Sequence, residues 1–300
     1  MLKNYLRCPL DFYYKHVLKF GEEKKIEEEL ESNTFGTIIH NVLEELFQPY
    51  NLEKFDGKGQ TPALSVSAID GMIKDFEPLL FDAFKIHFNG DELAFQTGKN
   101  FLSYSMSIEL TKRFLQSEKA FLKKNPNAKV QIKGLETRLE KELTLEINGE
   151  KKSINLRGFV DRIDLIDEEI RIIDYKTGKV LKNDVSQSVS RFKGSDVEYL
   201  THLSKQSKHF FQLLTYAYLY LENYGELPKE SSIISFVSYK QNPYIMNALD
   251  YSYEDMVGHY PEILTAILEE VYDSSTTFTH TSKLPEANYC SYCNWLMFNY

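Results

Sequence analysis

The sequence is poor in cysteine and tryptophan and has no long uninterrupted apolar stretch. Three cysteines and one tryptophan occur among its 300 residues. So few cysteines argue against a disulfide framework and favour a reducing, cytoplasmic compartment. Because no run of about 18 apolar residues occurs, no membrane-spanning segment is predicted. The first residues also lack the charged-then-apolar arrangement of a secretory signal peptide.

An excess of positive charge is lacking as well. The 35 Lys and Arg residues are outnumbered by 44 Asp and Glu residues, which gives a formal net charge of −9. Polyanion-binding proteins are usually basic, so this balance argues mildly against nucleic acid as a partner. The acids are concentrated elsewhere, for example in residues 22–31. Between Arg171 and Lys208 basic residues outnumber acidic ones, which allows a local basic groove.

Length and apolar content predict one domain with a substantial core. The chain is 42% hydrophobic and contains 20 Tyr and 20 Phe, which suits a single unit near the upper size limit. Apolar residues recur at helical spacing from about 65 to 124, and they alternate from 130 to 149. We therefore expect residues 1–300 to form one domain, with a helical insertion at about 50–128 and a core at 130–240.

Two apolar, β-branched segments in the middle of the chain predict a hairpin. They are residues 158–164 and 172–178, and Asp167-Glu168 forms the polar break between them. The two-residue period of a strand puts Asp174 and Lys176 on one face, about 7 Å apart at the backbone. A carboxylate beside a core needs a cation as a neighbour. That cation is either a divalent metal or Lys176 itself.

These segments resemble the PD-(D/E)XK nuclease superfamily, and within it the RecB-like and AddB-like branch. Its signature is similar to G-x-x-D-R-x-D followed by D-Y-K-T-G, which this chain carries at Gly158–Asp164 and Asp174–Gly178. The resemblance implies a mixed α/β fold: a restriction-endonuclease-like core sheet flanked by helices, with a large helical insertion.

The resemblance also implies a metal site. The segment Phe35–His40 is similar to the family's G-x-x-x-H element, in which the histidine is a metal ligand. His40, Asp161, Asp174 and the backbone carbonyl of Tyr175 would bind Mg²⁺ or Mn²⁺. Lys176, with Asp174 and Asp161, would be catalytic. The alternative for His40 is a packed residue on an amphipathic helix.

Three further residues are expected to contact the substrate or to support the ligands. Gln212 and Tyr216 match the family's Q-x-x-x-Y element on a helix that follows the catalytic strand. Glu136 lies at about the distance before Gly158 at which family members often carry a supporting glutamate. Gln212 as an ordinary helix residue and Glu136 as a solvent-facing strand residue are the alternatives. Arg162 and Asp164 are assigned to packing or ion pairing.

The cysteines resemble an incomplete iron–sulfur site. Cys8, Cys290 and Cys293 have the layout of the AddB-like cluster, which needs four thiolates, but Asn299 stands near the fourth position. We interpret the three as a possible relic, and an iron–sulfur cluster is not expected. A zinc site would also be one ligand short unless a histidine joined. Residues 1–24 and 285–300 are predicted to pack together.

The resemblance implies a Mg²⁺- or Mn²⁺-dependent deoxyribonuclease, with exonuclease action favoured over endonuclease action. No G-x-x-x-x-G-K-[ST] motif occurs, so helicase activity would come from another domain or subunit. The implied role is a module of a repair or recombination helicase–nuclease, or a stand-alone relative, with DNA as its partner. One alternative is an inactive scaffold of the same fold that binds DNA or protein. The other is an unrelated α/β protein in which Asp174 and Lys176 form a core ion pair.

Overall fold

The fold of the protein is known from a computed structural model. The structure describes residues 1–20, 29–58, 62–187, 194–237, 243–248 and 251–280. Its α-helices are α1 (Leu2–Arg7), α2 (Pro9–Phe12), α3 (Ser32–Phe47), α4 (Val66–His87), α5 (Leu93–Gln96), α6 (Gly98–Lys124), α7 (Asp196–Gln206), α8 (Lys208–Tyr224), α9 (Tyr253–Gly258) and α10 (Tyr260–Tyr272). Its strands are β1 (Val130–Ile147), β2 (Glu150–Ile166), β3 (Glu169–Lys176), β4 (Ser186–Gln187), β5 (Glu230–Ser235), β6 (Tyr244–Ile245) and β7 (Asn247–Ala248). None of these helices is both long and apolar enough to span a bilayer.

The expected mixed α/β fold is confirmed. The main sheet has five strands in the order β1-β2-β3-β5-β6. Strand β2 runs antiparallel to both β1 and β3, whereas β5 lies parallel to β3. A parallel pair needs a crossover, and α7 and α8 lie in the connection between β3 and β5. Strands β4 and β7 form a separate two-stranded sheet.

Two tight turns set the register of the first three strands. Asn148 and Gly149 have φ angles of 52° and 78°, and Asp167 and Glu168 have 50° and 71°. Paired positive φ angles are typical of the type I′ turn, whose twist matches that of a hairpin. The Asp167-Glu168 turn falls where the sequence analysis placed it, and Asn148-Gly149 is itself a typical hairpin sequence, so the pairing of β1 with β2 and of β2 with β3 follows from local chemistry.

Helices cover both faces of the sheet, which makes β3 a buried strand. Ile170 and Ile172 point into a core shared with α8 and α10. Ile173 and Tyr175 point into a second core, shared with α3, α4 and α6. The helices between residues 66 and 124 therefore provide the cover for one face. Burying an apolar side chain of this size contributes about 1.5–3 kcal/mol, so both faces favour the observed register.

Local structure differs from the sequence pattern in the segment after β3. The polar composition of residues 180–204 predicts a loop, but α7 begins within them; residues 188–193 lie outside the described part. Ser195 caps α7 and Glu198 completes a capping box, while Tyr199, Leu200 and Leu203 are buried. Apolar spacing over residues 2–20 predicts a helix in which Pro9 lies near a helix start or a kink. Pro9 does start a helix, α2, and the extended Cys8, with φ −157°, separates it from α1.

The described C-terminal residues contact the N-terminal helices. The rings of Tyr13 and Phe278 stack with centroids 5.2 Å apart, and Phe278 also contacts Tyr5 and Phe12. Residues 21–24 and 285–300 lie outside the described part, so the expected packing of those segments stays a prediction.

Candidate metal centre

The pairing of β1 with β2 brings two carboxylates opposite each other. Leu135 pairs with Arg162 and Thr137 pairs with Val160, so Glu136 lies across from Asp161. Glu136 has a φ of 45° beside an irregularity in β1 between Ile132 and Gly134. Like charges that face each other across a strand pair are destabilising. This geometry therefore favours a cation between the two side chains.

Helix α3 adds an imidazole to this pair. Its buried face fixes the rotation of the helix and directs His40 towards the sheet, where Nδ1 lies 3.6 Å from Oδ1 of Asp161. A Cβ atom at Gly36 would lie 3.2 Å from Oγ1 of Thr177, so glycine allows α3 to approach the end of β3 closely. The buried residues of this face are Ile38, Ile39, Val42, Leu43, Leu46 and Phe47.

His40, Glu136 and Asp161 together could bind a metal ion. Each offers one ligand atom, and these atoms lie within 4.8 Å of one another. The group offers two carboxylate oxygens and one imidazole nitrogen. Mn²⁺ accepts nitrogen ligands more readily than Mg²⁺ does, so the set suits Mn²⁺ better than Mg²⁺. The donor set therefore fits a divalent ion, and Glu136 stands in a ligand position although only a supporting role was expected for it.

The charges of His40, Glu136 and Asp161 change one another's pKa values. Burial raises the pKa of Glu136 to about 7, and the charge of Asp161 acts in the same direction. Burial also acts to raise the pKa of Asp161, but contacts with His40 and the charge of Lys176 outweigh it and lower that pKa. For His40, burial is outweighed by Asp161, which raises the pKa. The charge of a bound cation would offset the negative charges of Glu136 and Asp161, which a proton and His40 offset here.

Asp174 lies next to this group but has other partners. It is 1% exposed, forms an ion pair with Lys176, and accepts a hydrogen bond of 2.7 Å from Nε2 of Gln212. Its Oδ2 atom faces Lys176 but accepts no well-aligned hydrogen bond. The sequence left open whether the cation beside Asp174 is a metal or Lys176. In this structure it is Lys176, so Asp174 as a metal ligand stays a prediction.

The backbone of Tyr175 contacts the site through its amide. This N–H group donates a hydrogen bond of 2.5 Å to Oδ2 of Asp161. The bond fixes the carboxylate of β2 to the next strand, β3. The expected role of the Tyr175 carbonyl as a ligand remains a prediction.

Gln212 and Tyr216 support the acids from α8. Nε2 of Gln212 lies 2.6 Å from the hydroxyl of Tyr216 as well as near Asp174. A Cβ atom at Gly158 would lie 2.8 Å from the Tyr216 ring, so this glycine makes room for α8 on β2. The sequence predicted that these side chains contact the substrate or support the metal ligands. The contacts of Gln212 indicate that it positions Asp174, and a direct substrate contact stays a prediction.

Cys8 has a histidine as its neighbour. Its Sγ atom lies 3.6 Å from Nδ1 of His280 and accepts a hydrogen bond of 3.5 Å from the amide of Asp11. Cys290 and Cys293 lie outside the described residues. The interpretation of the three cysteines as a relic of a cluster therefore stays a prediction.

Paired acids and an imidazole at one site can hold a divalent ion, and such an ion can activate water and polarise a phosphate oxygen. The sequence profile of the PD-(D/E)XK nuclease superfamily matches residues 1–298, and the chain belongs to this superfamily. It is also 26% identical over 185 residues to an uncharacterized protein of Rickettsia bellii (strain RML369-C). That match covers 60% of this chain and 18% of the length of the Rickettsia protein.

We expect Glu136→Gln to stabilise the metal-free protein increasingly as the pH rises. The pKa of Glu136 is raised from its ordinary value of 4.5 to about 7, so the folded state holds the proton more tightly than the unfolded state. The stabilising contribution is complete below about pH 4.5 and is lost as the pH rises through about 7. After allowance for solvent screening, the loss is about 2 kcal/mol.

Urea unfolding at about pH 5 and about pH 8 in EDTA measures this effect. Glu136→Gln should have a larger free energy of unfolding than wild type at the higher pH. Adding Mn²⁺ in place of EDTA should raise the free energy of unfolding of wild type but not that of the variant. Glu146→Gln is the control because Glu146 is an exposed carboxylate on the same strand. An equal difference at both pH values would contradict the expectation.

Proposed function

We propose that this protein is a metal-dependent nuclease that hydrolyses phosphodiester bonds in DNA. The observation that carries the proposal is the opposition of Glu136 and Asp161, with His40 beside them and Lys176 close to Asp161. Membership of the PD-(D/E)XK superfamily supports the same activity. Mg²⁺ and Mn²⁺ are the proposed cofactors.

Each residue of the site has a proposed role. His40, Glu136 and Asp161 hold the ion, with Asp174 as a further ligand when Lys176 turns to the substrate. A bound divalent ion lowers the pKa of water and polarises a phosphate oxygen. Gln212 keeps Asp174 in position. The amide of Tyr175 holds Asp161 against β3.

Lys176 acts as a cation in this proposal rather than as a base. Burial lowers its pKa, but the charges of Asp174 and Asp161 outweigh burial and raise it. The ammonium group therefore stays protonated at neutral pH. It can donate a hydrogen bond to the attacking water and stabilise the charge that develops on the phosphate.

The finer proposal is a RecB-like nuclease module with exonuclease action on DNA. The motifs at Gly158–Asp164 and Asp174–Gly178 support placing the chain in the RecB-like branch. The Rickettsia protein is several times longer than its matched stretch, which suits a module within a larger protein. A helicase domain or subunit is the proposed partner in repair or recombination.

Lys176→Met is expected to lower the rate of DNA cleavage about a hundredfold while metal binding remains. The variant removes the ammonium group but keeps most of the buried stem, and the three grouped ligands are untouched. Cleavage of end-labelled linear DNA and of circular DNA in Mn²⁺ measures the rate and separates exonuclease from endonuclease action. Thermal stabilisation by Mn²⁺ measures binding.

Lys179→Met is the matched control because Lys179 is an exposed lysine three residues after Lys176, beyond the end of β3. It should cleave like the wild type. Absence of cleavage by wild type on both substrates, with Mn²⁺ still stabilising the fold, would favour an inactive scaffold. Absence of stabilisation by either Mg²⁺ or Mn²⁺ would favour a purely structural ion pair.

A further inference from the structure

Two lysines and a histidine lie beside the candidate metal centre, where α1 contacts α8. Lys3 is on α1, whereas Lys208 and His209 are consecutive residues at the start of α8. The charge of Lys208 acts on both Lys3 and His209, in agreement with this packing. None of the roles proposed above uses Lys3, Lys208 or His209.

His209 is the buried member of the group. It is 7% exposed, and within the described part of the chain its Nδ1 atom has no hydrogen-bond partner. Burial lowers its pKa to about 3, and the charges of Lys208, Lys176 and Lys3 act in the same direction. A buried polar atom without a partner is costly, so a ligand that accepts or donates a hydrogen bond here would relieve a defect of the free protein.

Lys3 reaches the same place from the other side. Burial and then the charge of Lys176 lower its pKa, although Asp174 and Asp161 act to raise it. Lys3 is nevertheless exposed, so an anion from solution can reach it. No ion pair of Lys3 is found among the described residues. Lys3 is thus an ammonium group held near other cations, an arrangement that an anion would stabilise.

The start of α8 adds a third source of positive potential. Ser207 caps this 17-residue helix, and its Oγ atom accepts hydrogen bonds of 3.2 Å from the amides of His209 and Phe210. The N-terminus of a helix carries a partial positive charge and favours anions. Here the helix end coincides with two lysines and the unpartnered imidazole.

We propose that Lys3, Lys208 and His209 form a binding site for a second phosphate group of the DNA substrate, distinct from the phosphate that is cleaved. The inference rests on the proposed nuclease function. The charge of Lys176, which lies next to the acids of the candidate metal centre, acts on both Lys3 and His209, so this group lies beside that centre. A strand whose cleaved phosphate is at the metal centre would place a neighbouring phosphate, or the phosphate at its end, against α8.

The test is DNA binding by the variant Lys3→Gln/Lys208→Gln. Anisotropy of a fluorescein-labelled single-stranded oligonucleotide in EDTA measures binding without cleavage over a series of salt concentrations. Each phosphate contact adds about 0.7 to the slope of log affinity against log salt for single strands, so the variant should lose about 1.4. At low salt the Kd should rise about tenfold. The single variant His209→Ala should also raise the Kd, by several-fold.

Two control variants make the result specific. Lys74→Gln/Lys129→Gln removes the same charge from two exposed lysines elsewhere and should keep the wild-type slope. Lys3→Arg/Lys208→Arg keeps the charge and should bind like wild type. Equal slopes for Lys3→Gln/Lys208→Gln and Lys74→Gln/Lys129→Gln would overturn the inference. The inference would also be overturned if Lys3→Arg/Lys208→Arg bound DNA as weakly as Lys3→Gln/Lys208→Gln while its melting temperature stayed at the wild-type value.

Oligonucleotides with a 5′-phosphate, a 3′-phosphate or hydroxyls at both ends distinguish the sources of the phosphate. A terminal phosphate that strengthens binding to wild type, but not to Lys3→Gln/Lys208→Gln, identifies the strand end. Equal binding of all three identifies an internal phosphodiester. Cleavage in Mn²⁺ is measured in parallel. If wild type cleaves and the slope is unchanged, this inference fails alone; if the slope changes and wild type does not cleave, the proposed nuclease function fails and the phosphate site stands.

Discussion

Asp161→Asn is expected to lower the rate of DNA cleavage by about a thousandfold or more. Asp161 is the residue on which the contacts of the site converge. It faces Glu136 across the strand pair, lies 3.6 Å from His40, and accepts a hydrogen bond of 2.5 Å from the amide of Tyr175. Asparagine keeps the shape and can still accept from that amide, but it removes the negative charge that a divalent ion needs.

Metal affinity provides the independent measurement. Calorimetric titration with Mn²⁺ should show weak or no binding to Asp161→Asn, and the rise in melting temperature on adding Mn²⁺ should disappear. Asp82→Asn is the control, because Asp82 is an exposed aspartate on α4, and it should behave like wild type. Wild-type affinity for Mn²⁺ in Asp161→Asn would show that the ion, if one binds, is held elsewhere.

The opposition of Glu136 and Asp161 could have been obtained from the sequence. The Asn148-Gly149 turn pairs Ile147 with Glu150. Eleven residues before Ile147 is Glu136, and eleven residues after Glu150 is Asp161. Two-residue turns fix hairpin register, so counting from this turn places the acids face to face. The sequence interpretation used the resemblance for Glu136 and not this count, and it therefore assigned the residue only a supporting role.

Other features of the site depend on contacts that no local pattern specifies. Strand periodicity correctly put Asp174 and Lys176 on one face, but it could not decide between a metal and the lysine as the partner of Asp174. The hydrogen bond from Gln212 to Asp174 joins residues 38 positions apart. The approach of Lys3 to α8 spans the chain even more widely. Such contacts follow from packing in three dimensions, and a short sequence motif does not determine them.

Arg162→Met is expected to destabilise the fold by about 3–5 kcal/mol, because it removes the cation beside Glu118 and leaves the buried Asp164 with Arg171 alone. Arg162 is 0% exposed on β2, directly beside Asp161 in sequence. Its guanidinium group donates hydrogen bonds of 2.6 and 3.0 Å to Asp164, and one of 2.8 Å to Glu118 on α6. It also lies 4.6 Å from the centre of the Phe47 ring on α3. One side chain thus ties α3 and α6 to the sheet beneath the candidate metal centre.

Urea unfolding and melting temperature measure this loss, with Arg157→Met as the matched control. Arg157 lies on the same strand, but its side chain is 55% exposed and pairs with Glu140 at the surface. Its replacement should change stability by less than about 1 kcal/mol. The double variant Arg162→Met/Glu118→Gln should recover part of the loss, because it also neutralises the carboxylate on α6 with which Arg162 pairs. If Arg162→Met instead unfolds like Arg157→Met, the network beneath the site contributes little, and the position of α3, and with it of His40, must depend on the apolar face of that helix.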